Sequence, residues 1–212
     1  MISAEEINVK KKGFHIFKNQ DIVLYPEAKK IFDLKHIIID ELNSRLINSN
    51  RWTNWSGYDD SGRTESFTKL SHQAILEKIA KKNCKLTEGE IKWKIFGFIL
   101  DGKVLHDNIK EAPQIFQLLK NCGNFDNIIN VGISCIKAGG DIKLHRDYNN
   151  KFYRFQIPLI IPDGDTVFVI NNDTIRWDMS EYFMFDDTFY HKAWNKTTEM
   201  RFVLLLDLKR LF

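Results

Sequence analysis

The chain has 212 residues, with 31 lysines and arginines against 28 aspartates and glutamates, so its formal charge of +3 is nearly balanced. That length supports one sizeable core, and the balance argues against a nucleic-acid partner, which needs a concentrated basic face. Short lysine runs at Lys10 to Lys12 and at Lys81 and Lys82 read as solvated surface. The opening residues, MISAEEINVKKKGF, carry acids where a secretion signal has its basic end. The longest apolar runs, FVLLL and IPLII, are too short to cross a bilayer. These features predict a cytoplasmic protein with no membrane partner. Cys84, Cys122 and Cys135 form no CxxC and leave an odd cysteine over, which reads as core residues in a reducing compartment.

Helical patterns dominate up to about residue 126. IFDLKHIIIDELNSRLINS, from Ile31, and SHQAILEKIAKK, from Ser71, repeat apolar residues every three or four positions, and Ser71 is placed to cap the second. Between them RWTNWSGYDDSGRTESF, polar and aromatic with two glycines, suits a loop over a site. EAPQIFQLLKN, from Glu111, is a third helix, with Pro113 tolerable in its first turn and Gly123 just past its end.

From Asn127 the pattern changes to short strands. IINVGISCIKAGG, KFYRFQIPLII, TVFVIN, YFMFDD and RFVLLLDL are rich in β-branched and aromatic residues, and PDGD and NND supply turns between them. The pattern predicts a mainly β, α+β protein with N-terminal helices and an antiparallel barrel or sandwich of the jelly-roll class. It is read as one domain over 1–212, with a helix-rich supporting part (1–126) and a β core (127–212).

The strands carry unusual polar residues. In LHRDY, His145 and Asp147 lie two apart, so on an extended strand both point to one face. His191 follows 46 positions later among aromatic rings near the end of YFMFDD. Two histidines and a carboxylate can occupy one face of an octahedral metal, the ligand set of non-haem iron(II). Spacing alone leaves open hydrogen-bonded core histidines and an aspartate that begins a turn. Arg154 sits within one apolar strand and Arg201 opens another, and a buried guanidinium needs an anion. That anion is either a ligand carboxylate or a structural partner among Asp186, Asp187 and Asp207.

Two segments resemble a known family. FDDTFYHKAWN with Arg201 is similar to the FDDSF-H-x-x-WN-(…)-R block of the aspartyl/asparaginyl β-hydroxylases, and IKAGGDIKLHRD to their L-x-PG-x-x-I-x-x-H block. Arg154 stands nine positions after His145 and Arg201 ten after His191, as in that family. The resemblance covers about the last 80 residues, with faint echoes in WKIFGF and EAPQIFQLLK. It implies a double-stranded β-helix, cupin-like barrel with iron(II) at its mouth, and 2-oxoglutarate and dioxygen as cosubstrates. His145, Asp147 and His191 would hold the metal, and Arg201 and Arg154 the 2-oxoglutarate carboxylates. Ser134 and Trp93 fall where the family also contacts this cosubstrate. Asp186 and Asp187 would organise a strand end, and Trp194 and Asn195 would brace the turn that presents His191.

Members that hydroxylate epidermal-growth-factor-like domains have glycine at the position of Asp147. Its aspartate makes this chain more similar to the bacterial branch that includes free-amino-acid hydroxylases. Gln156 replaces a histidine of many relatives. The resemblance implies hydroxylation of an unactivated C–H bond, in a family whose members also act on peptides and lipid A. With no membrane anchor or repeat domain to hold a larger substrate, the expected substrate is an amino acid, free or in a small peptide. The alternatives are a non-oxidative cupin-type metalloenzyme and a non-catalytic β-sandwich binding module.

Overall fold

The computed structural model describes residues 16–18, 24–55, 71–147 and 151–211, so most of the loop beginning at Arg51 lies outside the described residues. Thirteen strands are assigned: β1 (Ile16–Lys18), β2 (Trp52–Asn54), β3 (Asn83–Cys84), β4 (Trp93–Leu100), β5 (Lys103–Val104), β6 (Ile128–Ile136), β7 (Gly140–His145), β8 (Phe152–Ile160), β9 (Thr166–Ile170), β10 (Asp173–Arg176), β11 (Phe183–Phe185), β12 (His191–Asn195) and β13 (Arg201–Lys209). Five α-helices accompany them: α1 (Pro26–Asp33), α2 (Lys35–Ser44), α3 (His72–Ala80), α4 (His106–Glu111) and α5 (Pro113–Asn121).

The helix expected from Ile31 is two helices. Leu34 leaves helical geometry between them, which lets Ile31 of α1 and Ile38 and Leu42 of α2 reach the same core. Ser71 caps α3 as expected, its Oγ accepting from the amide of Ala74 at 3.2 Å. Pro113 opens α5, and the buried Glu41 carboxylate accepts from the amides of Gln114 (3.1 Å) and Ile115 (2.8 Å), so a side chain of α2 satisfies the first turn of α5.

The strands form two antiparallel sheets. The larger has the order β1-β11-β8-β13-β6-β4-β2-β3, with β5 on β4, and the smaller has the order β10-β9-β12-β7. The closed barrel expected from the sequence is not formed, because no sheet among the described residues closes on itself. Strands β7 and β10 are edges of the smaller sheet, and the layers meet through side chains instead of a continuous backbone ladder. The larger sheet also crosses the expected division at residue 126, since β4 pairs with β6.

Alternation along the strands decides what each layer holds. On β13, Phe202, Leu204, Leu206 and Leu208 pack with Phe155, Ile157, Ile133 and the helices in the main core. The intervening Arg201, Val203, Leu205 and Asp207 point to the opposite face, with Arg154 and Gln156 of β8 and Ser134 of β6 in register. A second apolar cluster of Ile136, Phe168, Ile170, Phe183, Phe185 and Ala193 fills the space between the sheets. The polar residues singled out in the sequence line this inter-sheet layer.

Candidate active site

The two sheets bring the predicted residues together from strands distant in sequence. His145 ends β7 and His191 begins β12, and the two are direct partners across that antiparallel pair. Their ring centroids are 4.2 Å apart. His191 thus opens a strand of its own instead of closing YFMFDD. The intervening turn is fixed by Asp186, whose Oδ1 accepts from the amide (3.1 Å) and hydroxyl (2.7 Å) of Thr188. Phe185 and Phe168 pack on the His191 ring with centroids at 5.2 and 5.9 Å.

Each imidazole is oriented by its own backbone. Nδ1 of His145 donates to the carbonyl of Lys143 at 2.7 Å, and Nδ1 of His191 to that of Phe189 at 2.9 Å. A carbonyl only accepts, so Nδ1 carries the proton and Nε2 is the unprotonated nitrogen of each neutral ring. Burial lowers the pKa of both histidines. For His191, burial first and then the neighbouring His145 take it down to about 3. Two neutral imidazoles side by side are suited to metal coordination.

Asp147 lies beyond the end of β7, so the expectation that it shares an extended strand with His145 is corrected. Its amide donates to the carbonyl of Asp187 at 2.8 Å, which ties the segment to the turn after β11. Its Oδ2 is 3.5 Å from Arg154 Nη1, and its Oδ1 is buried without a partner. Among the described residues no group of three His, Cys, Asp or Glu side chains converges as a metal site. The histidines meet, while Asp147 is held toward Arg154.

Arg154 has the structural partner that the sequence left open. Its Nε and Nη2 each lie 2.8 Å from an oxygen of Asp207, a bidentate pair, and Nη1 is 3.5 Å from both Asp147 and Asp187. This ion pair accounts for the charge of Arg154 without a cosubstrate carboxylate. Burial raises Asp187 well above the ordinary carboxylate range against the pull of Arg154. Burial also acts to raise Asp147, but Arg154 and the Asp187 carboxyl outweigh it and hold Asp147 low. Of this pair Asp187 takes the proton and Asp147 keeps its charge. Asp207→Ala is expected to cost about 3 kcal/mol in a urea denaturation series, because it removes the main partner of a largely buried cation.

Arg201 is the opposite case. Its side chain is 1% exposed, and its Nε and Nη1 have no hydrogen-bond partner. Burial lowers its guanidinium pKa to about 9. The Trp177 ring lies beneath it, 4.7 Å from the guanidinium carbon, and Trp177 connects through Phe168 to His191. Trp177 was missed in the sequence, where IRWDMS gives no sign of a site. Ser134 and Trp93 line the same wall: the Trp93 indole donates to Ser134 Oγ at 3.1 Å, and its ring is 6.3 Å from that of His145. The buried Oε1 of Gln156, on the same face, also has no partner.

Trp194 and Asn195 are at the far end of β12 from His191. Trp194 donates to Asp165 at 2.9 Å, and the buried Asn195 amide donates to the carbonyls of Ile136 (3.0 Å) and Glu199 (2.7 Å). They brace the turn leading to Arg201, which corrects the expectation that they present His191.

The family model for aspartyl/asparaginyl β-hydroxylase matches residues 38–211. The chain belongs to the aspartyl/asparaginyl β-hydroxylase family. The match extends well upstream of the last 80 residues, into α2. Similar proteins include an ornithine lipid ester-linked acyl 2-hydroxylase of Rhizobium tropici, 26% identical over 58% of this chain and 43% of its own. Another is the aspartate beta-hydroxylase domain-containing protein 2 of Xenopus tropicalis, 28% identical over 61% of this chain and 38% of its own. The chain thus spans less than half the length of these relatives. Among solved structures, a 2OG-Fe(II) oxygenase family oxidoreductase of Burkholderia pseudomallei is similar at a TM-score of 0.46 and 13% identity, covering 55% of this chain and 66% of that one. No helix among the described residues is long and apolar enough to cross a membrane.

Proposed function

We propose that the protein is an iron(II)- and 2-oxoglutarate-dependent dioxygenase that hydroxylates an unactivated C–H bond of an amino acid, free or in a small peptide. The observation that carries this reading is the fully buried Arg201 guanidinium, whose Nε and Nη1 have no hydrogen-bond partner, in the layer that holds the paired histidines. An isolated buried cation is costly, and a carboxylate ligand offsets that cost. His145 and His191 would hold the iron through Nε2, and Asp147, whose Oδ1 has no partner, would complete the ligand set. When bound, iron(II), 2-oxoglutarate and dioxygen would supply oxidative decarboxylation to succinate and carbon dioxide and an oxidant for the target carbon.

The chain's own residues do the positioning. Arg201 would fork onto the distal carboxylate of 2-oxoglutarate, with Trp177 keeping the guanidinium plane in place. Ser134 Oγ, already accepting from Trp93, has its proton available for the same cosubstrate. Arg154 fixes Asp147 and keeps it ionised. The apolar cluster of Phe168, Phe183 and Phe185 excludes water from the reacting face.

The test is succinate release from 2-oxoglutarate with iron(II) and air, over amino acids and short peptides. The name of the Rhizobium tropici relative adds ornithine lipids with an ester-linked acyl chain to that panel. Substrate-dependent succinate with an amino acid or peptide supports the reading. Turnover only with an acyl lipid would overturn its substrate class, and turnover of some substrate without 2-oxoglutarate would overturn its chemistry.

A further inference from the structure

Lys94 is fully buried, yet among the described residues no carboxylate pairs with it. It points to the helix side of β4, where Phe96 and Phe98 follow it in the main core. Its ammonium has three donors and three acceptors: the carbonyls of Lys85 (2.8 Å) and Glu88 (2.5 Å) and the Cys84 sulfur at 3.0 Å. Cys84, on β3, is half-buried, and its thiol also reaches the Trp52 carbonyl and Asn54 Oδ1, each at 3.4 Å. An apolar residue would fill the Lys94 position without desolvating a charge. The arrangement instead holds one amine nitrogen against one sulfur across the intervening strand β2.

We propose that Cys84 and Lys94 form a reversible oxidative cross-link, an N–O–S bridge, made with dioxygen as the oxidant. The ammonium first gives one proton to solvent. The amine and thiol then react with one O2: the N–H and S–H bonds are replaced by N–O and O–S bonds to one oxygen atom, and the other leaves as water. Nitrogen and sulfur each lose two electrons, and the four reduce O2 completely. Two equivalents of a dithiol reductant return amine, thiol and water. The other two cysteines are internal controls, because Cys122 and Cys135 are buried, no lysine nitrogen among the described residues is hydrogen-bonded to either sulfur, and burial pushes their thiols up to about 11 and 12. The bridge would fasten the edge strand β3 across β2 to β4, beside Trp93 in the site wall.

The test is intact mass and peptide mapping of the full chain after incubation in air and after dithiothreitol. The expected result is a gain of about 14 Da, one oxygen less two hydrogens, carried by residues 83–85 joined to 93–103 in a tryptic digest. It is expected to reverse with dithiothreitol, and the oxidised form to melt about 5 °C higher, as a short covalent loop closure predicts. Cys84→Ser and Lys94→Arg should each show neither change, and Cys122→Ser should behave as the parent. Cys84 found unmodified, as a sulfenic or sulfinic acid with Lys94 unlinked, or in an intermolecular disulfide would overturn the proposal.

Discussion

Arg201→Met is expected to weaken binding of 2-oxoglutarate by about 100-fold or more, the loss that follows removal of one partner of a buried charge pair. The same substitution is expected to stabilise the protein without ligand by about 1–4 kcal/mol, because it replaces a desolvated cation with two unpaired donors by an apolar side chain of similar length. The two effects have opposite signs, and that separates a ligand-binding arginine from a structural one. Isothermal titration with 2-oxoglutarate and urea denaturation of ligand-free protein measure them independently. A parent that is more stable than the variant would show that Arg201 has a protein partner in solution. Unchanged affinity would remove it from the cosubstrate site.

The second large effect is expected at the histidines. His191→Ala should reduce iron(II) affinity by more than the 10–100-fold typical of disturbing an outer partner of a metal ligand, because it deletes the ligand itself. His191→Gln keeps a polar group of similar reach without a second imidazole and should fall almost as far. Neither should unfold the chain, since His191 opens β12 and the Phe168 and Phe185 rings still pack on each other at 4.8 Å. Competition with a colorimetric iron(II) chelator gives the affinities, and circular dichroism checks the fold. A variant with parental iron affinity would exclude His191 from the ligand set.

The sequence made the chemistry more legible than the architecture. Arg201 on β13 and Arg154 on β8 interrupt apolar runs, and His145 on β7 and His191 on β12 stood out in LHRDY and FDDTFYHKAWN. Closure of the sheets was not legible, because strand periodicity states which face is buried but not where the ladders end. The break at Leu34 left the apolar repeat intact across α1 and α2 and so gave no signal. The spacing of Asp147 placed it on a strand that does not reach it: H-x-D puts two residues on one face only while the strand continues, and β7 stops at His145. Trp177 was invisible because its role depends on Arg201, which lies on the larger sheet, while Trp177 follows β10 of the smaller one. The partner of Arg154 was foreseen only as one of three aspartates, and register decided for Asp207, which sits directly opposite it on β13.

One inter-sheet site is proposed to bind iron(II) and 2-oxoglutarate together. Anaerobic titration of the metal-free protein with iron(II) and then 2-oxoglutarate, followed by visible absorption, tests it most directly. A metal-to-ligand charge-transfer band is expected only with both, and it is expected to be lost in His191→Ala and Arg201→Met. Iron(II) binding by the parent with no band and no affinity for 2-oxoglutarate would contradict it.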